Sequence, residues 1–479
     1  MSGMRNRQDW FRVLGGRELK VGALARGPVL LLCWIMAASI LWIAGCKGGV
    51  VPHAFNIELG HNSVSNRAVQ SIADKNGNTY IVGKAQSSLF NSAKSDTNFG
   101  GFLAKFDPYG NLLWGVQLNS PGKDVSVNSV ALQGDSVYIV GDTSGTISGV
   151  ETPDYRDGFV ARYDAEGGLT WLKLISAATP GPTAAVHVAK IVFNSENIAY
   201  LTGSSSNGVA FDGKTAAKIG ETDGFLLAMT MAGEISGEIK MIGGTTGAQR
   251  NSISITGLTL DDADNVYVSG ATTVSLFDQP LTGVGDAFIA RFSGSLELAW
   301  AKLFGVAAAM VIATDLAYSH SNQAIYVGGY GTASQTGGDF SGSRLPYVAS
   351  FAAADGAQNW LKEAPAQDHR NENIAVAVDN HANLVAVGYA EIDIYNSGHT
   401  AMFNDATIVK YNSAGNLLGG QQFGCNQSDS AAVYWGINIV RDRVFVVGSS
   451  TFGLEEYNPM PVPQSGFGSF AIFKTYTTF

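Results

Sequence analysis

Short runs of alternating apolar and polar residues fill most of this chain, and one run keeps returning. Tyr80-Ile81-Val82-Gly83 comes back as Tyr138–Gly141, Tyr200–Gly203, Tyr267–Gly270 and Tyr326–Gly329, and in weaker form as Val385–Gly388 and Phe445–Gly448. The closing glycines stand 58, 62, 67, 59, 59 and 60 residues apart. A period of that size means stacked copies of one supersecondary unit. Each copy is rich in β-branched and aromatic residues and ends on glycine, which predicts a strand running into a loop.

Aligning the units on this strand brings out three more. An apolar stretch such as Asn128–Leu132 or Ile374–Val378 precedes it, joined by a turn of Asn, Asp and Gly, as in Asp74–Asn78 and Asp261–Asn265. Such turns are hairpin signals. A long loop then leads to a third strand, seen in Gly101–Asp107, Asp157–Asp164, Asp223–Thr230, Asp286–Ser293 and Asp405–Asn412. The fourth strand carries Trp114 or Trp171, with Trp300 and Trp360 marking two further copies.

Four short antiparallel strands repeated seven times predict an all-β fold: a seven-bladed β-propeller, which hides its sheet edges by radial repetition. The last unit supplies only three strands, ending in Phe470–Lys474, whereas an orphan strand, Phe55–Leu59, precedes the first. The expectation is a ring closed by the N-terminal strand 55–59, with Phe55, Ile57 and Leu59 inward and Asn56 and Glu58 outward. Residues 55–479 then form one propeller domain, and 58 glycines against 15% charged residues suit it.

These motifs together, D–GN–YxxG, then D-x-F-x-A-K/R-F/Y-D, then G-N-L-L-W, resemble the SBBP-type β-propeller repeat of bacterial envelope proteins. The stretches Asp74–Trp114 and Asp157–Trp171 match best, while the units ending at Ile239 and Leu418 have lost the tryptophan. The resemblance implies a propeller on a secreted or lipid-anchored protein and brings no catalytic residues with it.

The amino-terminal region has its own pattern. It is basic up to Arg26 and continuously apolar from Pro28 to Ala44, which reads as a secretory signal. It ends in Ile43-Ala44-Gly45-Cys46, which resembles the lipobox of bacterial lipoproteins. That resemblance implies a signal peptide over 1–45, a lipidated Cys46 and a flexible tether over 46–54. The alternative is an uncleaved membrane anchor, since an apolar run this short is near the lower limit for spanning. An outer-membrane location follows from Lys47 after the cysteine, by resemblance to known sorting signals. Beyond Cys33 and Cys46 only Cys425 remains, so no intramolecular disulfide is available to the exported chain.

The net charge of −10 becomes −14 once the leader's +4 is set aside, which argues against nucleic acid as a partner. Gly208–Thr215 matches the P-loop pattern, but it lies between two strands with no helix to follow, so it reads as a chance match. Asp74-x-Asn76-x-Asn78 resembles the start of a calcium loop yet lacks the glutamate such a loop needs, since position 85 is alanine. Local Asx turns explain it without metal. The recurring aspartates Asp157, Asp223, Asp286 and Asp405 read as caps on backbone N–H groups, and the tryptophans as packing between blades. No histidine pair has metal-ligand spacing, and no cofactor is expected.

The functional expectation is a lipid-anchored, monomeric envelope propeller that acts as a non-enzymatic binding or scaffold module for a protein or glycan. The alternative is an envelope enzyme acting on glycans at the central channel. Loops between second and third strands share a face with the blade-to-blade connections, and binding on a rigid scaffold favours such a face. The candidate ligand-binding residues entering the innermost strands there are Arg67, Asn128, His187, Arg250, Asn373 and Tyr434. No catalytic residue is assigned.

Overall fold

The computed structural model describes residues 12–13, 56–60, 64–92, 94, 96–152, 155–244, 251–337, 343–364, 369–394, 404–423, 431–440, 443–451 and 470–476. Cys46, the tether and all of the leader but Arg12 and Val13 lie outside these residues, as does Phe55. Every regular element among the described residues is a β-strand.

Six sheets are four-stranded, antiparallel and sequential. Blade 1 runs from Asn66–Ala73 at the inside through Thr79–Ala85 and Gly100–Phe106 to Leu112–Leu118 at the outside. Blades 2 to 6 repeat this order over 125–175, 186–242, 253–304, 311–363 and 371–423. A further sheet is composite: Ala432–Val440, Arg443–Ser450 and Phe470–Tyr476 from the last repeat are joined by Asn56–Leu59 and, at the edge, Arg12–Val13. The fold is a β-propeller, but the expected count of seven four-stranded blades is corrected: six sheets have that form. The last repeat's sheet is five-stranded because a short run at 12–13 lengthens its edge. An eighth, two-stranded sheet arises where Val209–Phe211 pairs with Lys214–Ala216.

The apolar core lies between blades. Tyr80, Val82 and Leu103 of blade 1 share one cluster with Val127, Ile139 and Phe159 of blade 2. Ile57 and Leu59 pack with Phe102 and Phe106 of blade 1 and with Phe445 and Val447 of the composite sheet. Asn56–Leu59 therefore sits where the first repeat meets the last, and Ala432–Val440 packs against Asn66–Ala73 across the same junction.

Each innermost strand carries a β-bulge at the same place. Register shifts fall between Ala68 and Gln70, Val127 and Ser129, Val188 and Lys190, and at the equivalent points of the other repeats. The bulge explains the motif glycine, which pairs with the residue just before the extra one: Gly83 with Ala68, Gly141 with Val127. A Cβ on Gly83 would overlap the Arg67 carbonyl oxygen, and one on Gly141 would overlap that of Ser126. Only glycine admits this approach. The third-strand aromatic covers the gap, Phe102 opposite Gly83 and Phe159 opposite Gly141.

The tryptophans join successive blades. Trp114 Nε1 donates to the Ala165 carbonyl at 2.9 Å, Trp300 to Ala353 at 3.2 Å and Trp360 to Ser413 at 2.9 Å, each on the third-to-fourth-strand turn of the next blade. Gly167, Gly356 and Gly415 lie under those rings at positive φ, where a Cβ would meet the indole. Tyr80, Tyr267 and Tyr326 meet the same indoles with ring centroids 6.0, 5.9 and 5.8 Å apart. Trp171 packs over Gly233 in the same way, but its buried Nε1 finds no acceptor.

Candidate functional site at the loop-face mouth

The innermost strand starts, and the second strand ends, on the face that carries the long loops. At this mouth the residue two before the bulge faces the residue just after the motif glycine: Arg67 faces Lys84, Ser126 faces Asp142, His187 faces Ser204 and Glu372 faces Tyr389. Below this level the blades repeat; here they do not.

Three of the sequence candidates gather on one side. Asp142, 5% exposed, accepts from Asn128 Nδ2 at 2.7 Å and pairs with His187 Nδ1 at 2.7 Å, both on Oδ1. Arg156 approaches its Oδ2 at 3.4 Å. Asn128, the extra residue of its bulge, also donates to the Val188 carbonyl at 2.9 Å and so bridges blades 2 and 3. Burial pushes the Asp142 carboxyl up, but the hydrogen bonds from His187 and Asn128 and the charge of Arg156 outweigh it and hold the group below its ordinary range.

Next to this cluster stand two cations. The Arg67 guanidinium lies 4.4 Å from the centroid of the Trp435 ring, and Lys84 Nζ lies 4.6 Å from that of Phe99. Burial lowers both from their ordinary values, and for Lys84 the neighbouring Arg67 charge adds to it against Asp142 and Asp124. Arg67 Nε is buried and has no hydrogen-bond partner.

Across the mouth the cations are neutralised. Arg344 ion-pairs with Glu372 and lies 4.7 Å from the Tyr330 ring centroid, while Tyr389 OH donates to Glu372 Oε1 at 2.6 Å. Burial raises the Tyr389 phenol, with Arg344 and Arg370 pulling the other way. The remaining candidates differ from their neighbours in position. Asn373 is buried and donates to the Tyr347 carbonyl at 3.0 Å, and Tyr434 is fully buried, with its ring 6.2 Å from that of Phe423. Both precede the bulge by one residue, which turns them into the wall. Arg250 lies outside the described residues.

Sequence reasoning missed Lys84, Asp142, Arg156, Trp435, Glu372 and Tyr389. A signal was present for three of them: Lys84, Asp142 and Tyr389 each follow the motif glycine directly, at a point where the repeats change from charged to small to aromatic residues.

The other motifs turn out to be local structure. Asp74 Oδ1 accepts from the N–H groups of Asn76 and Asn78 at 2.8 and 2.9 Å, so the calcium-like turn is self-satisfied. The P-loop-like segment forms the extra hairpin, turning at Asp212 and Gly213, with no helix. Asp223 accepts from Ile219 and Gly220, and Asp286 from Thr282 and Gly283, all backbone N–H groups. Among the described residues no group of three or more His, Cys, Asp or Glu could hold a metal ion.

No family model matches the chain, and no curated protein does. Many solved structures match the chain, the three described next at 9–11% identity. A quinohemoprotein alcohol dehydrogenase from Comamonas testosteroni is 11% identical, covering 87% of this chain and 75% of its own, with a TM-score of 0.45. A catalytically inactive virginiamycin B lyase from Staphylococcus aureus with quinupristin is 11% identical over 88% of this chain and 99% of that one, TM-score 0.44. A polysaccharide lyase described as an ulvan lyase is 9% identical over 82% and 91%, TM-score 0.45.

Proposed function

We propose that this chain is a lipid-anchored propeller of the cell envelope that works as a non-enzymatic binding module, taking a protein or glycan partner on the loop face. In this reading Asn56–Leu59 closes the ring and the repeats are of the SBBP type. Cys46 carries lipid, the outer membrane is the destination, and the protein is a monomer.

The observation that supports a binding role is the contrast at the mouth. Below it the bulges, glycines and aromatic pairs recur from blade to blade, whereas the mouth positions hold Arg67, Ser126, His187 and Glu372, each with different partners. Repetition serves the scaffold; a position that varies on a rigid frame is free to serve a ligand. The test has two parts. Cys46→Ala should release the protein from membranes and abolish palmitate labelling, and continued labelling would refute the anchor. Replacing Arg67, Asn128 and His187 together should abolish partner capture from envelope extracts or binding on a glycan array. Capture that survives this change but fails when the short turns are altered would place binding on the opposite face.

One observation favours a second reading, an enzyme acting on glycans. The buried Asp142 carboxylate holds His187 through Nδ1, and the imidazole is half exposed, the setting of a general base. Under that reading His187→Ala abolishes cleavage of a bound glycan while leaving its binding largely intact.

A further inference from the structure

We propose that Arg67 and Lys84 form an oxyanion site that receives the carboxylate or sulfate group of an acidic glycan at the channel mouth. The inference rests on the loop face being the binding face. Its basis is an uncompensated pair of charges. Arg67 and Lys84 are direct partners on neighbouring antiparallel strands, so their side chains share one face. Like charges so placed destabilise a sheet. Among the described residues no carboxylate pairs with either, although the other cations near the mouth, Arg156 and Arg344, each have one.

The two carboxylates whose charge acts on Lys84, Asp142 and Asp124, are already engaged. Asp142 is held by His187, Asn128 and Arg156, and Asp124 Oδ1 accepts from Phe99 N at 2.8 Å. The buried, unpartnered Arg67 Nε adds a second uncompensated cost. Trp435 and Phe99 hold both cations by cation–π contact, which favours keeping the two charges together at this position. A fork-shaped guanidinium beside an ammonium suits one oxyanion.

The surroundings favour a glycan as its carrier. Around Asp142, Ser126, Asn128 and His187 offer hydrogen-bonding groups suited to sugar hydroxyls.

The experiment titrates the full-length protein in detergent with tetragalacturonate, a sulfated chondroitin disaccharide, neutral cellotetraose, inorganic sulfate and an acidic peptide, by calorimetry and thermal melting. One or both acidic glycans should bind, the carboxylate and sulfate arms showing which group is preferred, and cellotetraose should not. The double variant Arg67→Gln, Lys84→Gln should weaken that binding by at least about tenfold, as loss of a charged hydrogen bond requires. The unliganded variant should melt no lower than the parent, because it removes a repulsion. A purely structural pair would instead lower the melting point. Equal binding of the neutral glycan, binding untouched by the double variant, or no binding of any probe would overturn the site; tighter binding of the peptide or of free sulfate would overturn the glycan. Partner capture by the loop face is measured separately and can survive each of these results.

Discussion

On the short-turn face, Asp74, Asn194, Asp261 and Asp379 stand in four different blades and make the same two bonds. Each side-chain oxygen accepts from the backbone N–H groups two and four residues on. At the channel mouth on the loop face the partners differ from blade to blade: Asp142 gathers His187, Asn128 and Arg156, Glu372 gathers Arg344 and Tyr389, and Arg67 with Lys84 gathers no carboxylate. The turns are built by residues a few positions apart, the mouth by residues distant in sequence, His187 and Arg344 among them coming from a neighbouring blade. The difference teaches how to sort a repeat protein: what every copy does holds the frame, and what one copy does alone is the candidate for function.

The frame is where large energetic effects should appear. The strand Asn56–Leu59 buries Ile57 and Leu59 almost completely at the junction of the first and last repeats. At about 1.5–3 kcal/mol per buried side chain, its deletion should cost roughly 3–6 kcal/mol. Against a net stability of about 5–15 kcal/mol, urea denaturation should show a protein at the margin of folding. An unchanged midpoint would mean that the ring does not depend on this strand.

The tryptophan joints come next. Trp114→Ala should cost about 3 kcal/mol through lost packing against Tyr80 and the next blade's turn. Phenylalanine sharpens the test, because Trp114→Phe also forfeits a hydrogen bond worth about 1 kcal/mol. Trp171→Phe forfeits none, since its Nε1 is unpaired, and should be the milder change. Similar losses in both melts would show that the hydrogen bond carries no weight.

A smaller effect is expected at the motif glycine. Gly141→Ala places a methyl on the Ser126 carbonyl and against the Phe159 ring, and relief requires the bulge to shift. Overpacking of this kind costs about 1–3 kcal/mol. The shift would also move Asn128, so chemical-shift changes should reach His187 and Asp142. Changes confined to blade 2's core would separate the bulge from the mouth.

The repeat, its four strands, the inter-blade tryptophans and the pairing of 56–59 with the last repeat were legible because each is written in local pattern: period-two alternation, turn residues, a recurring glycine. The bulge was not, since an extra residue such as Val69 or Asn128 carries no mark of its own and shows only in the register with the partner strand. That single uncertainty decides which side chains line the mouth. It separates Arg67, Asn128 and His187, which reach it, from Asn373 and Tyr434, which turn into the wall. The partners of Asp142 come from positions 128, 156 and 187, and no local spacing predicts their meeting.

The smallest effect, and the sharpest test of the two faces, lies in acid. Asp379 and Asp142 both have carboxyls held below the ordinary range. Burial alone would raise each; at Asp379 the bonds from Asn383 and Lys410 outweigh it, and at Asp142 those from His187 and Asn128 do so with Arg156. A carboxyl with a depressed folded value adds stability that is complete above its unfolded value, about 3.9, and is lost as pH falls through the folded one. The parent should therefore melt progressively lower below about pH 4, and either Asp→Asn change should flatten that decline. At neutral pH the two variants should part. Asn194 already fills the turn position in blade 3, so Asp379→Asn keeps its backbone bonds and forfeits the bond from Asn383 Nδ2 and the pair with Lys410. Asp142→Asn leaves Arg156 without its carboxylate and gives His187 an amide in place of a charge, so it should cost more and disturb ligand binding as well. Melting curves of both variants from pH 3 to pH 7, with binding measured alongside, decide the matter; equal losses at pH 7 would remove the distinction between the faces.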